Sequence, residues 1–161
     1  MTTAEYNQCV DRFSDGVYRF ILKNMRDEDK ARDVVQDSFE KMWLKVGEIS
    51  FEKARSYLFT TAYHAMIDAI RKEKYQTPLD DATMNDHGYH DEYLGLKEVL
   101  EKALMRLPSD QRSVVLLRDH EGYSYREIGE ITGLSETQVK VYIYRARVYL
   151  KNYIGRMDVV V

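Results

Sequence analysis

The chain has 161 residues, 32% of them charged and 44% hydrophobic, with a net charge of −3, one cysteine, two prolines and eight glycines. That length suits one medium domain or two small helical ones, and so little Gly and Pro excludes a strand-and-turn sheet in favour of amphipathic helices, an all-α class. With no apolar run of about eighteen residues, no basic-then-apolar leader and only Cys9 to make a disulfide, export and membrane insertion find no support, and the expected compartment is the cytoplasm.

Near the start of the chain, Tyr6, Val10, Phe13, Val17, Phe20 and Ile21 recur at three- and four-residue spacing and predict an amphipathic opening helix. Carboxylates in Arg26-Asp27-Glu28-Asp29 then mark a second helix start, where the helix dipole favours them. On that helix Ala31, Val35, Phe39, Met42, Trp43 and Val46 form one stripe, with Phe39 and Trp43 expected as an aromatic core pair. Asp33, Gln36, Asp37, Glu40 and Leu44 form the opposite stripe. Three acids, an amide and an exposed leucine suit docking onto a basic protein surface, although a charge run is more often a solvated face.

After the break Gly47-Glu48-Ile49-Ser50, a third helix is expected over Lys53 to Lys74, with Ser50 as its cap and Leu58, Ala62, Ala65, Met66 and Ala69 as its buried stripe. Its outward stripe, Lys53, Tyr57, Thr60, Thr61, His64, Asp68, Arg71 and Tyr75, mixes rings, hydroxyls and cations. Such a mixture fits single-stranded nucleic acid, where bases stack and cations follow phosphates. A polar solvent face with Tyr57 covering an apolar edge fits equally well.

Gln76 to Gly95 has no apolar period and is rich in aspartate, which predicts a linker between a domain at 1–75 and another at 96–161. Asp86, His87, His90 and Asp91 lie in it, but His-x-x-His without a second fixed pair is a weak metal signal, and no metal or other cofactor is expected.

The stretch Glu121 to Lys151 holds two helix starts of one kind. Ser124 with Glu127, and Ser135 with Gln138, have capping-box spacing, and Gly133 between them can take the left-handed conformation that ends one helix before the next. This is a helix-turn-helix signature, in which the second helix enters a DNA major groove; a helical hairpin packed on another domain is the plainer alternative. Val139, Tyr142, Ile143, Ala146 and Leu150 face inward on that helix, while Thr137, Lys140, Val141, Tyr144 and Val148 face outward with Arg145 and Arg147 at the margins. The net negative charge at first opposes a nucleic-acid partner. Its distribution removes the objection: residues 1–75 carry 13 basic and 13 acidic groups, 76–95 carry five acids and no base, and 96–161 carry 11 basic and 9 acidic groups.

These residues resemble bacterial sigma factors of the extracytoplasmic-function group. Asp33 to Trp43 is similar to the D-x-x-Q-[DE]-x-F-x-x-x-W run of that family, and Arg55 to Asp68 to its R-x-[WY]-L-x-x-x-A-x-N-x-x-x-D stretch. Leu107-Pro108 with Arg112, Glu121-Gly122-Tyr123-Ser124, Glu127-Ile128, Val139-Lys140 and Arg145-Ala146-Arg147 match its second domain, so the resemblance spans nearly the whole chain.

The resemblance implies an initiation factor that binds core RNA polymerase through Asp33, Gln36, Asp37, Glu40 and Leu44. It implies that Lys45, Ser50, Phe51, Lys53, Tyr57, Thr60, His64 and Arg71 engage a single-stranded minus 10 element with an extruded base. Duplex minus 35 DNA would meet Thr137, Gln138, Lys140, Val141 and Tyr144, with phosphate contacts from Arg126, Arg145 and Arg147. Lys140 would suit a guanine, Val141 a thymine methyl and Gln138 an adenine. An anti-sigma factor, membrane-bound in much of the family, is the further expected partner. The chain departs from the family pattern at His64, where asparagine is common, at Gly129, where alanine is usual and glycine costs about 1 kcal/mol of helix propensity unless close packing needs it, and at Val141-Tyr142. A dimeric helix-turn-helix regulator and a DNA-independent interaction module are the competing readings; an enzyme finds no nucleophile-base pair, phosphate loop or metal spacing.

Overall fold

The computed structural model describes residues 1–76 and 95–158, with side chains through Tyr75 and Arg156; the Asp86, His87, His90 and Asp91 group and most of the expected linker fall outside these residues. Among them the chain is helical: α1 Thr3–Met25, α2 Glu28–Leu44, a 3-10 turn Phe51–Lys53, α3 Ala54–Gln76, α4 Leu96–Arg106, α5 Ser109–Asp119, α6 Tyr125–Thr132 and α7 Glu136–Asp158.

Local chemistry sets most of the ends. Thr2 and Glu5 form a capping box at α1, and the Asp27 side chain accepts from the Lys30 amide at the start of α2. Arg26 closes α1 in the left-handed region at φ 56°, unusual for a residue with a Cβ and held by the hydrogen bond its amide donates to Leu22 O at 2.7 Å. The two boxes expected in the helix-turn-helix are present. Ser124 and Glu127 cap each other, Ser135 and Gln138 do likewise, and Gly133 sits at φ 82° between them. Ser50 behaves otherwise: its side chain caps nothing, and it precedes the 3-10 turn, so α3 begins at Ala54 and runs to Gln76.

Helices α1, α2 and α3 pack on one another around Val17, Phe20, Ile21, Ala31, Phe39, Met42, Leu58, Ala62 and Met66. The buried side of α2 is rotated from the predicted stripe: Val34 and Ser38 are inside, whereas Trp43 is 44% exposed and stacks edge-on against Tyr6 at 5.0 Å. Trp43 is therefore a surface ring. Only Phe39 of the expected pair is core; Tyr6 meets both rings edge-on and its hydroxyl donates to Phe39 O at 2.8 Å.

Helices α4 to α7 build a second group around α5, whose residues Arg112 to Leu117 are buried without interruption. A helix buried all round has to touch neighbours on every side. It meets α4, α6 and α7 of its own group and α1 of the first. The buried Arg112 guanidinium donates to Leu104, Met105 and Leu107 carbonyls at 3.4, 3.4 and 3.0 Å, tying the end of α4 to α5. Burial holds its pKa below the usual arginine value.

Gly129 is explained by the turn that follows it. A Cβ there would stand 2.9 Å from Leu134 O, a backbone atom that cannot swing aside. We expect Gly129→Ala to lower stability by about 1–3 kcal/mol through this overlap, outweighing the ~1 kcal/mol that alanine gains in helix propensity. Urea denaturation reads the difference; a midpoint equal to or above the parent's would refute the packing argument.

Candidate polymerase and nucleic-acid interfaces

Three outward faces carry the residues singled out from the sequence. On α2, Asp33, Gln36, Asp37 and Glu40 are all exposed, as is Leu44 at 77%, and among the described residues none of the three acids has an intrachain ion pair. Neighbouring charges are paired: Asp29 with Arg32, and Lys30 with Glu73. An uncompensated acidic stripe ending in a bare leucine and the Trp43 ring is the chemistry of a surface that meets a basic partner with an apolar anchor.

The second face is the loop after α2 together with the outer side of α3. Lys45, Ser50, Lys53, His64 and Arg71 are exposed; Phe51, Tyr57 and Thr60 are half-buried. Phe51 packs under Arg12, and His64 meets the Tyr63 ring edge-on at 5.3 Å. The loop itself is pinned, because the Met1 nitrogen donates to Val46 O at 2.7 Å and Ile49 O at 2.9 Å. Rings and cations thus lie along about the length of α3, a platform suited to unpaired bases.

The third face is α7. Val139, Ile143 and Ala146 are buried, while Thr137, Gln138, Lys140, Val141, Tyr144 and Arg145 project outward, with Val141 37% and Tyr144 69% exposed. Lys140 hangs 5.8 Å from the Tyr125 ring. Three of the expected contacts are partly committed within the chain. The Gln138 carbonyl oxygen accepts from the Ser135 amide at 3.0 Å, and Arg147 forks onto Asp119. Arg126 pairs with Glu130 one turn along α6, at 3.5 Å in an exposed position.

A fourth cluster escaped the sequence reading, because it is built between the two helix groups. The buried Glu121 carboxylate accepts from Arg19 Nη2 at 3.1 Å and from Arg19 Nε at 3.3 Å, and Arg55 Nη2 lies 3.6 Å from it while donating to the Glu121 carbonyl at 2.9 Å. The Arg55 guanidinium lies over the rings of both Tyr123 (4.3 Å) and Phe59 (5.1 Å), which touch each other edge-on. Beside it Lys23 Nζ stands 2.8 Å from His120 Nδ1, Ser113 Oγ donates to Asn24 Oδ1 at 3.0 Å in the interior, and Arg26 meets Glu101 at 3.6 Å. No sequence period reports such contacts, since their partners are up to 102 positions apart.

The sigma-70 region 2 family model matches residues 9–75, and the sigma-70 region 4 model matches 97–150. The chain belongs to the sigma-70 family. Similar sigma factors include "ECF RNA polymerase sigma factor SigM" of Bacillus subtilis, 28% identical over 93% of this chain and 95% of the relative, and "RNA polymerase sigma factor SigV" of the same organism, 29% identical over 93% and 91%. Among solved structures, the sigma factor RpoE of Bartonella quintana, determined with the anti-sigma factor NepR, shares the fold with a TM-score of 0.76 at 24% identity, over 93% of this chain and 96% of that one. This sigma factor is accordingly an initiation factor that binds core RNA polymerase and directs promoter recognition, and not an enzyme. The region 2 match takes in α2 and α3; the region 4 match takes in the helix-turn-helix. No helix among the described residues is long and apolar enough to cross a membrane.

The contact between region 2 and region 4 has a built-in pH response. Burial and the facing Lys23 push the His120 pKa down from its ordinary value, with Arg19 acting the same way and Glu121 and Asp119 opposing. A depressed histidine contributes stability that is complete above its unfolded pKa of about 6.5 and is lost as pH falls through the lower folded value. The urea midpoint of this sigma factor should therefore drop between pH 7.5 and pH 5.5 by more than that of His120→Gln, which cannot take up the proton; equal drops would show that His120 is fully screened.

Proposed function

We propose that this sigma factor works as a two-domain initiation factor of the extracytoplasmic-function group in the cytoplasm, with a region 2 domain at 1–75, an acidic linker at 76–95 and a region 4 domain at 96–161. The exposed, unpaired stripe Asp33, Gln36, Asp37, Glu40 and Leu44 docks on a basic surface of core polymerase. That stripe is the observation that carries the assignment, because among the described residues no ion pair compensates its charge.

Lys45, Ser50, Phe51, Lys53, Tyr57, Thr60, His64 and Arg71 hold the opened minus 10 strand. Stacking on Tyr57 and hydrogen bonds to His64, which can donate and accept, recover the few kcal/mol of unstacking a base. Region 4 reads duplex minus 35 DNA through Thr137, Gln138, Lys140, Val141 and Tyr144. Arg126, Arg145 and Arg147 take phosphates, two of them by exchanging a carboxylate partner. The amide nitrogen of Gln138 remains available to a base although its oxygen is engaged at the cap. An anti-sigma factor is a fitting regulator, as the Bartonella relative was solved with one.

Runoff transcription with core polymerase on a pool of genomic promoter fragments tests the assignment. Lys140→Ala should lose about 1–3 kcal/mol of discrimination at minus 35 while binding polymerase as before. Asp37→Arg should do the reverse, weakening polymerase affinity and sparing duplex binding. An unchanged polymerase affinity for Asp37→Arg would remove α2 as the docking face.

A further inference from the structure

We infer that the Gln138 side chain reads the minus 35 duplex as a hydrogen-bond donor only, and that it therefore selects a G·C pair where the residue type alone suggests adenine. The inference rests on the reading of α7 as the recognition helix.

The cap at the start of α7 carries the argument. Ser135 Oγ accepts from the Gln138 backbone amide at 3.1 Å, and the Gln138 side-chain oxygen accepts in return from the Ser135 amide at 3.0 Å and from Ser135 Oγ at 3.2 Å. Chemistry fixes which end of the side-chain amide faces the cap. A backbone N–H can only donate, so the atom 3.0 Å from it is the oxygen, and the NH2 group points away. The Ser135 hydroxyl, already accepting from the backbone, directs its one proton at the same oxygen. Two donors thus hold the acceptor, while among the described residues the NH2 protons meet no partner. The side chain is exposed, three residues before Val141 and so beside it on the helix surface.

Recognition of adenine by an amide needs both ends of the group. Adenine offers N7 as acceptor and the N6 amine as donor, so a bidentate contact requires a free side-chain oxygen next to the NH2. At Gln138 that oxygen is turned back to the helix start, and presenting it to a base would strip the Ser135 amide of its partner. What faces the groove is the NH2 alone. Guanine sets two acceptors, O6 and N7, side by side before such a group, whereas adenine sets its own N6 amine against it. The cap removes the half of the amide that would have recognised adenine.

The test uses the full chain in complex with core polymerase, on a promoter fragment that the parent transcribes, with all four bases placed in turn at each pair of the minus 35 element. Competition among these fragments gives the base preference at each pair. Gln138→Met keeps the length of the side chain without its hydrogen bonds, and at one pair it should lower the parent's preference for G·C over A·T by about tenfold. Gln138→Glu keeps the Ser-x-x-Glu cap but can only accept, so it should favour G·C at that pair no more than Gln138→Met does. Because the glutamate variant retains the cap, a loss common to both does not come from a frayed helix start.

A responsive pair that is A·T in the parent's preferred fragment overturns the inference. So does a preference in Gln138→Glu equal to the parent's, or the lack of any pair that responds to Gln138→Met. Failure of the α7 assignment itself looks different, since Lys140→Ala then changes the preference at no pair either.

Discussion

A carboxylate taken out of water costs several kcal/mol unless charged partners replace the solvent, and Glu121 shows what the chain arranges to meet that cost. Arg19 comes from α1, Arg55 from the start of α3, and the carboxylate sits at the corner between α5 and α6, where Gly122 turns the backbone at φ 78°. The rings of Phe59 and Tyr123 fix the Arg55 guanidinium and remove it further from water. Their contact sets α6 against α3, and the Gly133 turn then sets α7 against α6. The direction in which α7 presents Lys140 and Tyr144 is thereby tied to the position of α3.

The same economy appears in α5. Six consecutive buried residues, Arg112 to Leu117, let it serve both helix groups, with Arg112 turned to the α4 carbonyls and Ser113 to Asn24 of α1. Helices α2, α3 and α7, by contrast, each bury one side and leave the other chemically uncompensated. The outward sides carry unpaired acids on α2, rings and cations on α3, and apolar groups among cations on α7. The function proposed above assigns them as surfaces completed by polymerase and by nucleic acid.

Much of this was legible in the sequence because it is written in short spacings. The capping boxes at Ser124 and Ser135, the Gly133 turn and the inward faces of α1 and α7 follow from residues within one or two turns of each other. Three-residue and four-residue periods also separated the outward stripes from the buried ones. Trp43 was misplaced because its period is ambiguous at a helix end, where the ring meets Tyr6 on one side and solvent on the other. Ser50 was misread for a related reason, since a 3-10 turn intervenes before the helix it was expected to cap. Gly129 could be understood only once Leu134 O was seen 2.9 Å from its missing Cβ. The Glu121 cluster had no local signal at all: Arg19, Arg55 and Glu121 each look like ordinary surface charges until the fold brings them together.

Charge pairing within region 4 bears on how a protein of net charge −3 selects DNA. A free cation that meets phosphate releases condensed counterions and gains affinity without regard to sequence. Arg147 and Arg126 are not free in this sense, since Asp119 and Glu130 already neutralise them. Transferring such a guanidinium from carboxylate to phosphate exchanges one charge-assisted bond for another, and the net gain is smaller. Nonspecific affinity is held down accordingly. In the proposed reading, discrimination then falls to Thr137, Lys140, Val141 and Tyr144, which form no ion pair with an acid among the described residues and whose contacts would depend on which base edge they meet.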